Sequence, residues 1–379
     1  MRAETKKKYR IKNFRPCDFQ LLAVILGLVV FGVIMVFSAS YYQTINMDKS
    51  PYYYLIRDLV WAVSGIAIMA VFSLIDYHKF RKWAPWIFGV SILLLIMVFI
   101  PGLGHSSHGA TRWISLGPIT FMPGEFAKIA AIISVAWFLS EVPGRIRSLT
   151  KGVLPLVGVC ILYGALILKQ PNMSTAITVL GIIVLMMFIA GLEWKWLGAV
   201  GIMGVVGMCG LIFMDEGGYR LKRVTSFLDP FADPLGDGFQ VVQSLLALGS
   251  GGLFGVGLGK SVQKNLYLPE PQNDFILAII GEELGYIGVL VLIAAYVFLI
   301  WRGVHVALNA PDQLGLLLAS GVVIMISLQV VLNIAVVTSS MPPTGVILPF
   351  ISYGGNALWM FMASAGILLN VSRQTTEVK

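Results

Sequence analysis

The sequence predicts an all-α integral membrane protein of ten transmembrane helices, with both termini cytoplasmic and a large extracellular loop between helices 7 and 8. Three observations predict it. Of 379 residues, 57% are hydrophobic and only 12% charged, and the mean hydropathy is +0.84, far outside the range of soluble globular chains. Apolar runs long enough to cross a hydrocarbon core of about 30 Å recur along the whole chain. Lys and Arg fall unevenly on the two sides of those runs. A transmembrane β-barrel would need short segments of alternating polarity, whereas these runs are continuously apolar.

The predicted spans are 18–40, 54–75, 84–101, 123–140, 152–168, 173–190, 194–214, 274–300, 313–337 and 347–371. The first follows a basic tail, residues 1–17, and Ser38-Ala39-Ser40 resembles a small-residue cleavage site. The run is longer than the roughly 7–15 apolar residues of a secretory signal, so it reads as an uncleaved helix. Assigning connections alternately to the two sides puts 17 Lys and Arg with the termini and nine opposite, with Lys128 inside a span. Five of those nine lie in the 215–272 loop, and long loops weigh little in this rule. Both ends, including the 372–379 tail, are therefore expected in the cytoplasm, within one polytopic domain. Topology accounts for the net charge of +8 without any nucleic acid partner. Cys17, Cys160 and Cys209 lie in or beside different helices with no paired spacing, which fits small buried hydrophobes better than a disulfide framework or a metal cluster.

Two outward connections stand out: 102–122, and the 58 residues of 215–272, a length that points to function. The longer one opens with the cationic cluster Arg220, Lys222 and Arg223, passes an amphipathic piece at 240–247, and reaches the glycine-rich run Gly249–Ser261. A phosphate loop would need glycine where Phe254 stands, and a strand before it. The run reads instead as a flexible segment at the bilayer surface whose glycines permit close backbone approach.

The loop then delivers Asp274 to the start of an apolar helix. An ionisable group at that boundary is a candidate for chemistry; from the residues alone it is either a helix cap or a proton acceptor. Glu125 and Lys128, three apart on the fourth helix, meet on one inward face, there to orient a site or to fasten helices. Glu282 and Glu283 lie about 12 Å deeper than Asp274 and about 100° apart around the helix, so they cannot both share its face. Glu282 reads as a cavity residue and Glu283 as a helix–helix hydrogen-bonding group. His105 and His108 read as solvated loop residues. The uncharged 338–345 loop and Ser352–Gly355 are expected to line a cavity through backbone and hydroxyl groups.

The run Tyr267-Leu268-Pro269-Glu270, Asn273-Asp274-Phe275-Ile276 and Gly281-Glu282-Glu283-Leu284-Gly285 resembles the signature of the shape, elongation, division and sporulation (SEDS) family of peptidoglycan polymerases, the FtsW, RodA and SpoVE group, and leans toward the FtsW and SpoVE branch. Four further blocks agree in order: Arg112–Gly117 with Pro123–Lys128, Phe227–Pro230, Gln243-Ser244 with Gly249–Gly252, and Thr344-Gly345 with Leu348–Gly355. Gly124, Asn172 and Asn356 depart from the family pattern, which commonly has Ser, Asp and Ser there.

The resemblance implies a glycosyltransferase of the bacterial cell membrane that polymerises lipid II at the outer face, with Asp274 as general base. It implies substrate contacts from Arg112, Glu125, Lys128, Ser352 and Tyr353, and also from Trp113, which from the residues alone reads equally as part of an interfacial aromatic belt. Arg220, Lys222, Arg223, Lys260 and Lys264 are the cations available to the departing pyrophosphate. No covalently bound cofactor is expected. The resemblance allows a divalent cation, Mg2+ or Mn2+, to share the cations' role, although no metal-ligand spacing is visible. Implied partners are lipid II, membrane lipid, a class B penicillin-binding protein (a transpeptidase) and other divisome or elongasome membrane proteins. A lipid II flippase is the alternative from another class, but transporters usually carry internal repeats and this chain shows none; a scaffold for wall synthases is the third reading.

Overall fold

The computed structural model describes residues 16–107, 110–116, 119–142, 144–213, 227–236, 238–265 and 267–375. Its helices are α1 (Phe19–Asn46), α2 (Tyr53–Leu74), α3 (Phe80–Met97), α4 (Pro123–Glu141), α5 (Leu154–Lys169), α6 (Met173–Ile189), α7 (Trp194–Phe213), α8 (Phe239–Ser250), α9 (Ile276–Leu308), α10 (Gln313–Val337) and α11 (Gly355–Ser372). A helix overlies each of the ten expected spans. Among the described residues, eight helices are long and apolar enough to cross a membrane; α6, at 17 residues, is shorter. The last helix starts at Gly355 rather than 347, because Pro349, Phe350 at φ +66° and Gly354 keep the preceding residues out of helical geometry.

The expectation of helices alone needs one correction. Residues 104–121 carry a three-stranded antiparallel sheet, β1 (Gly104–Ser107), β2 (Ala110–Leu116) and β3 (Ile119–Phe121), in the order β1-β2-β3. The Thr-Arg-Trp-Ile run favours strand, and the Gly117-Pro118 pair separates it from Ile-Thr-Phe in sequence.

Helices α4, α10 and α11 form the centre, with 72% of their most apolar stretch buried against 22% for α2. Their close packing uses small residues: a Cβ on Gly321 of α10 would stand 2.6 Å from Ile132 of α4. Side-chain caps fix several starts. Asp18 accepts from Gln20 and Leu21 N–H at the head of α1, and Asp312 from Gly315 N–H at the head of α10. Asp312 also joins a polar knot: His78 bridges it (2.9 Å) to Asp76 (2.7 Å), and Tyr77 donates its hydroxyl to it at 3.0 Å. Burial raises the Asp312 carboxyl, but the hydrogen bonds from His78, Gly315 and Tyr77 outweigh burial and hold it below the usual carboxylate range.

Helix α9 is broken at Gly285, at φ 68° and ψ −171°. The glycine-rich segment after α8 lies across the break. Val256 and Gly257 N–H donate to the carbonyls of Glu282 and Glu283, while Tyr286 and Ile287 N–H donate to those of Gly252 and Leu253. The exchange satisfies backbone groups that the break releases, as buried backbone requires. It also needs glycine on both sides: a Cβ on Gly285 would stand 2.3 Å from Gly255 N and 2.6 Å from Leu253 O. The backbone angles of Gly285 are essentially closed to other residues. Gly285→Ala should therefore lower stability by about 1–3 kcal/mol, read by chemical unfolding in detergent. Gly89→Ala, at a helical site with nothing within 4 Å, should cost nothing.

Candidate active site

A cavity of about 570 Å³ opens where β2, the amino ends of α4 and α6, the loop before α9, mid-α10 and the 338–354 loop converge. Its wall includes Arg112, Trp113, Glu125, Lys128, Asp274 and Tyr353. Six residues singled out in the sequence, drawn from three separated stretches of the chain (112–128, 274 and 353), thus surround one space.

Asp274 sits in the last turn before α9. Phe275, not Asp274, occupies the cap position of α9, and no side chain caps that helix. The main chain of Asp274 is pinned from behind. Asn333 of α10 donates from its amide to the carbonyl of Asp274 (2.8 Å) and to that of Val346 (2.7 Å), tying the acid to the 338–354 loop. Tyr353 N–H donates to Gln272 O at 2.9 Å in a second tie. Gly345, whose φ of +73° favours glycine, lies beside the carboxylate, where a Cβ would stand in ordinary contact, 3.4 Å from Asp274 Oδ2. These bonds fix the main chain around Asp274, whose side chain stands on the cavity wall.

Below it, Lys128 Nζ donates to Glu125 Oε1 at 2.7 Å, in a pair whose side chains are only 5% and 8% exposed. The helical spacing that predicted the contact holds, and the cavity, rather than lipid, is the polar space beside it. Arg112 comes from β2, where pairing with β1 passes from Trp113 opposite His105 to Thr111 opposite Ser106 and skips Arg112. A register shift of this kind re-aims a side chain, and the guanidinium reaches over to donate to Pro171 O beside α6. Tyr353 packs edge-on against Tyr54, ring centroids 4.9 Å apart.

Other expected residues lie elsewhere. Ser352 is buried in a tight turn in which its hydroxyl accepts from Leu348 N–H at 2.8 Å, so it shapes the loop and does not line the cavity. Lys260 is exposed on the glycine-rich segment, away from the cavity wall. Lys264 is 2% exposed and committed to Glu283 at 2.7 Å and to Ser38 of α1 at 3.1 Å, which removes it from the leaving group. Arg220, Lys222 and Arg223 lie outside the described residues. Glu282, expected in the cavity, instead accepts from Ser261 Oγ and from Val262 N–H at 2.8 Å, because the loop crosses the helix break at that level. Glu283 does bond to another helix, accepting from Ser38 at 2.7 Å.

Several uncharged polar residues also shape the site: Asn172 and Asn356 stood out in the sequence only as departures from the family pattern, and Gln329 and Asn333 not at all. Asn172 caps α6 by accepting from Thr175 N–H at 3.3 Å and lines the cavity. Asn356 donates to Thr120 O at 2.8 Å, joining α11 to β3 at the rim. Gln329 faces the cavity one turn below Asn333. The signal for the last two was there: Gln329 and Asn333 sit four apart on one face of an otherwise apolar helix.

Comparison with known proteins agrees over the whole chain. A family model for FtsW, RodA and SpoVE, described as cell cycle protein, matches residues 19–377. Stage V sporulation protein E of Bacillus subtilis is 42% identical over 356 residues, covering 94% of this chain and 97% of that one. A Geobacter protein named "Probable peptidoglycan glycosyltransferase FtsW" is 40% identical over 355 residues, covering 94% and 96%. Among solved structures, the rod shape determining protein RodA of Thermus thermophilus matches with a TM-score of 0.69 at 27% identity, covering 96% of this chain and 98% of that one. A chain from work described as "Structural coordination of polymerization and crosslinking by a peptidoglycan synthase complex" matches with a TM-score of 0.76 at 27% identity, covering 94% and 98%.

Proposed function

The chain belongs to the FtsW, RodA and SpoVE family of cell cycle proteins and is a peptidoglycan glycosyltransferase, and from that premise we propose that Asp274 is its general base, acting on lipid II at the outer face of the cell membrane. The observation that carries the reading is the placement of the Asp274 carboxylate on the wall of a polar cavity together with Arg112 and the Lys128–Glu125 pair.

In the proposed reaction the 4-hydroxyl of one lipid II GlcNAc attacks the anomeric carbon of the MurNAc that ends the growing chain. The hydroxyl proton passes to Asp274, the new C–O bond forms with inversion, and the bond to undecaprenyl pyrophosphate breaks with its electron pair going to the pyrophosphate. Arg112, the cation at the rim on β2, meets that charge as it develops. Glu125 accepts from Lys128 at 2.7 Å and so holds its side chain in place beside the cavity. Among the described residues no group of three or more His, Cys, Asp or Glu side chains could hold a metal. Arg112 carries the leaving-group role in this reading, and a divalent cation sharing it would be held largely by the pyrophosphate it accompanies.

The outer-face location rests on the Lys and Arg asymmetry, with ten crossings and both ends in the cytoplasm. A class B penicillin-binding protein is the proposed partner, because strands made here must be crosslinked. Division or sporulation is the process served.

The test is strand formation by the purified full chain from lipid II in detergent, where no sidedness exists and a flippase would make nothing. Glycan strands should form. Arg112→Met should slow their formation by about 10²-fold, with Arg112→Lys recovering part of the loss. Failure of the unaltered protein, alone and with its transpeptidase, to make strands would overturn the reading.

A further inference from the structure

Gln329 lies in the middle of α10, 1% exposed, on the cavity wall with Lys128 of α4 and Ser174 and Thr178 of α6. Both its amide oxygen and its amide nitrogen are buried, and neither has a hydrogen-bond partner. Such a pair of buried, unmatched groups is rare in a folded protein, and a leucine or methionine of similar size would cost less. Asn172 Nδ2 and Thr344 Oγ1 are also buried and unmatched on the same wall. The polar groups here are therefore arranged for something that enters.

The chemistry of that something can be read. The buried ammonium of Lys128 is already matched by Glu125 at 2.7 Å, so this part of the wall carries no net charge and suits a neutral polar group. Gln329 offers one donor and one acceptor side by side. A pyrophosphate has acceptors only and would leave Oε1 unmatched. An acetamido group, with an N–H and a C=O, matches both. The level fits too: Gln329 is four residues, about 6 Å along the helix axis, below Asn333, whose amide holds the main chain of Asp274 at 2.8 Å.

We propose that Gln329, facing the cavity one turn below the residue that pins Asp274, binds the 2-acetamido group of an N-acetylhexosamine ring held for transfer. The proposal rests on the glycosyltransferase reading above and adds a specificity determinant to it. Both sugars of lipid II carry that group, so the ring concerned is the acceptor GlcNAc or the donor MurNAc.

The experiment measures binding of three probes to the purified full chain in detergent: lipid II, lipid II with glucosamine in place of GlcNAc, and lipid II with de-N-acetylated muramic acid in place of MurNAc. The unaltered protein should bind lipid II at least about tenfold more tightly than one of the two analogues, and that analogue names the ring. Gln329→Met should abolish this preference while melting no lower than the parent, since it removes unmatched buried groups. Gln329→Glu, which keeps an acceptor and loses the N–H donor, should weaken lipid II binding in the same direction and supplies a second variant should the first fold poorly. An unchanged preference in these variants, or none in the unaltered protein, overturns the proposal. Binding needs no turnover, so a protein that discriminates acetyl groups yet makes no glycan would refute the proposed function and leave this inference standing.

Discussion

Lys264→Met lowers the stability of the protein by about 3–5 kcal/mol, the usual consequence of removing one member of a buried ion pair. The pair is fully enclosed, with side-chain exposures of 2% for Lys264 and 0% for Glu283. Without the ammonium, Glu283 retains only the Ser38 hydroxyl at 2.7 Å, and a carboxylate in that setting is poorly compensated. The loss falls on three elements at once, because Lys264 joins the loop after α8 to α9 and α1. Chemical unfolding in detergent measures it. The double change Lys264→Met with Glu283→Gln should restore most of the loss, since it removes both charges together. A single variant as stable as the parent would show that the pair fastens nothing.

That pair also marks how far the sequence could be read. Lys260 and Lys264 look alike in the sequence, two lysines four apart in a polar loop. Only the crossing of the loop over the Gly285 break sends one to solvent and the other into the protein, and nothing local to either residue encodes the crossing. The same break undid the placement of Glu282, which assumed an unbroken helix. The helices themselves were legible because continuous apolar runs have no other stable form in a membrane, and so was Glu125 beside Lys128, because helical spacing alone brings them together. The strands at 104–121 were missed because short β-rich runs between long apolar ones carry a weak signal. Asp274 stood out as an acid at the end of a loop, whereas Asn333, which positions it, and Gln329 did not. Weighing uncharged amides inside an apolar helix as heavily as charges would have found both.

The most direct test of the central claim compares lipid II binding and strand formation by Asp274→Asn in one purified preparation. Asparagine matches aspartate in size, and the bond from Asn333 goes to the main-chain carbonyl of residue 274 (2.8 Å), so the pinned backbone persists in the variant. Binding should stay within a few-fold of the parent, while strand formation falls by about 10²–10⁴-fold, the usual contribution of a positioned base. Strand formation at the parental rate by this variant would contradict the account.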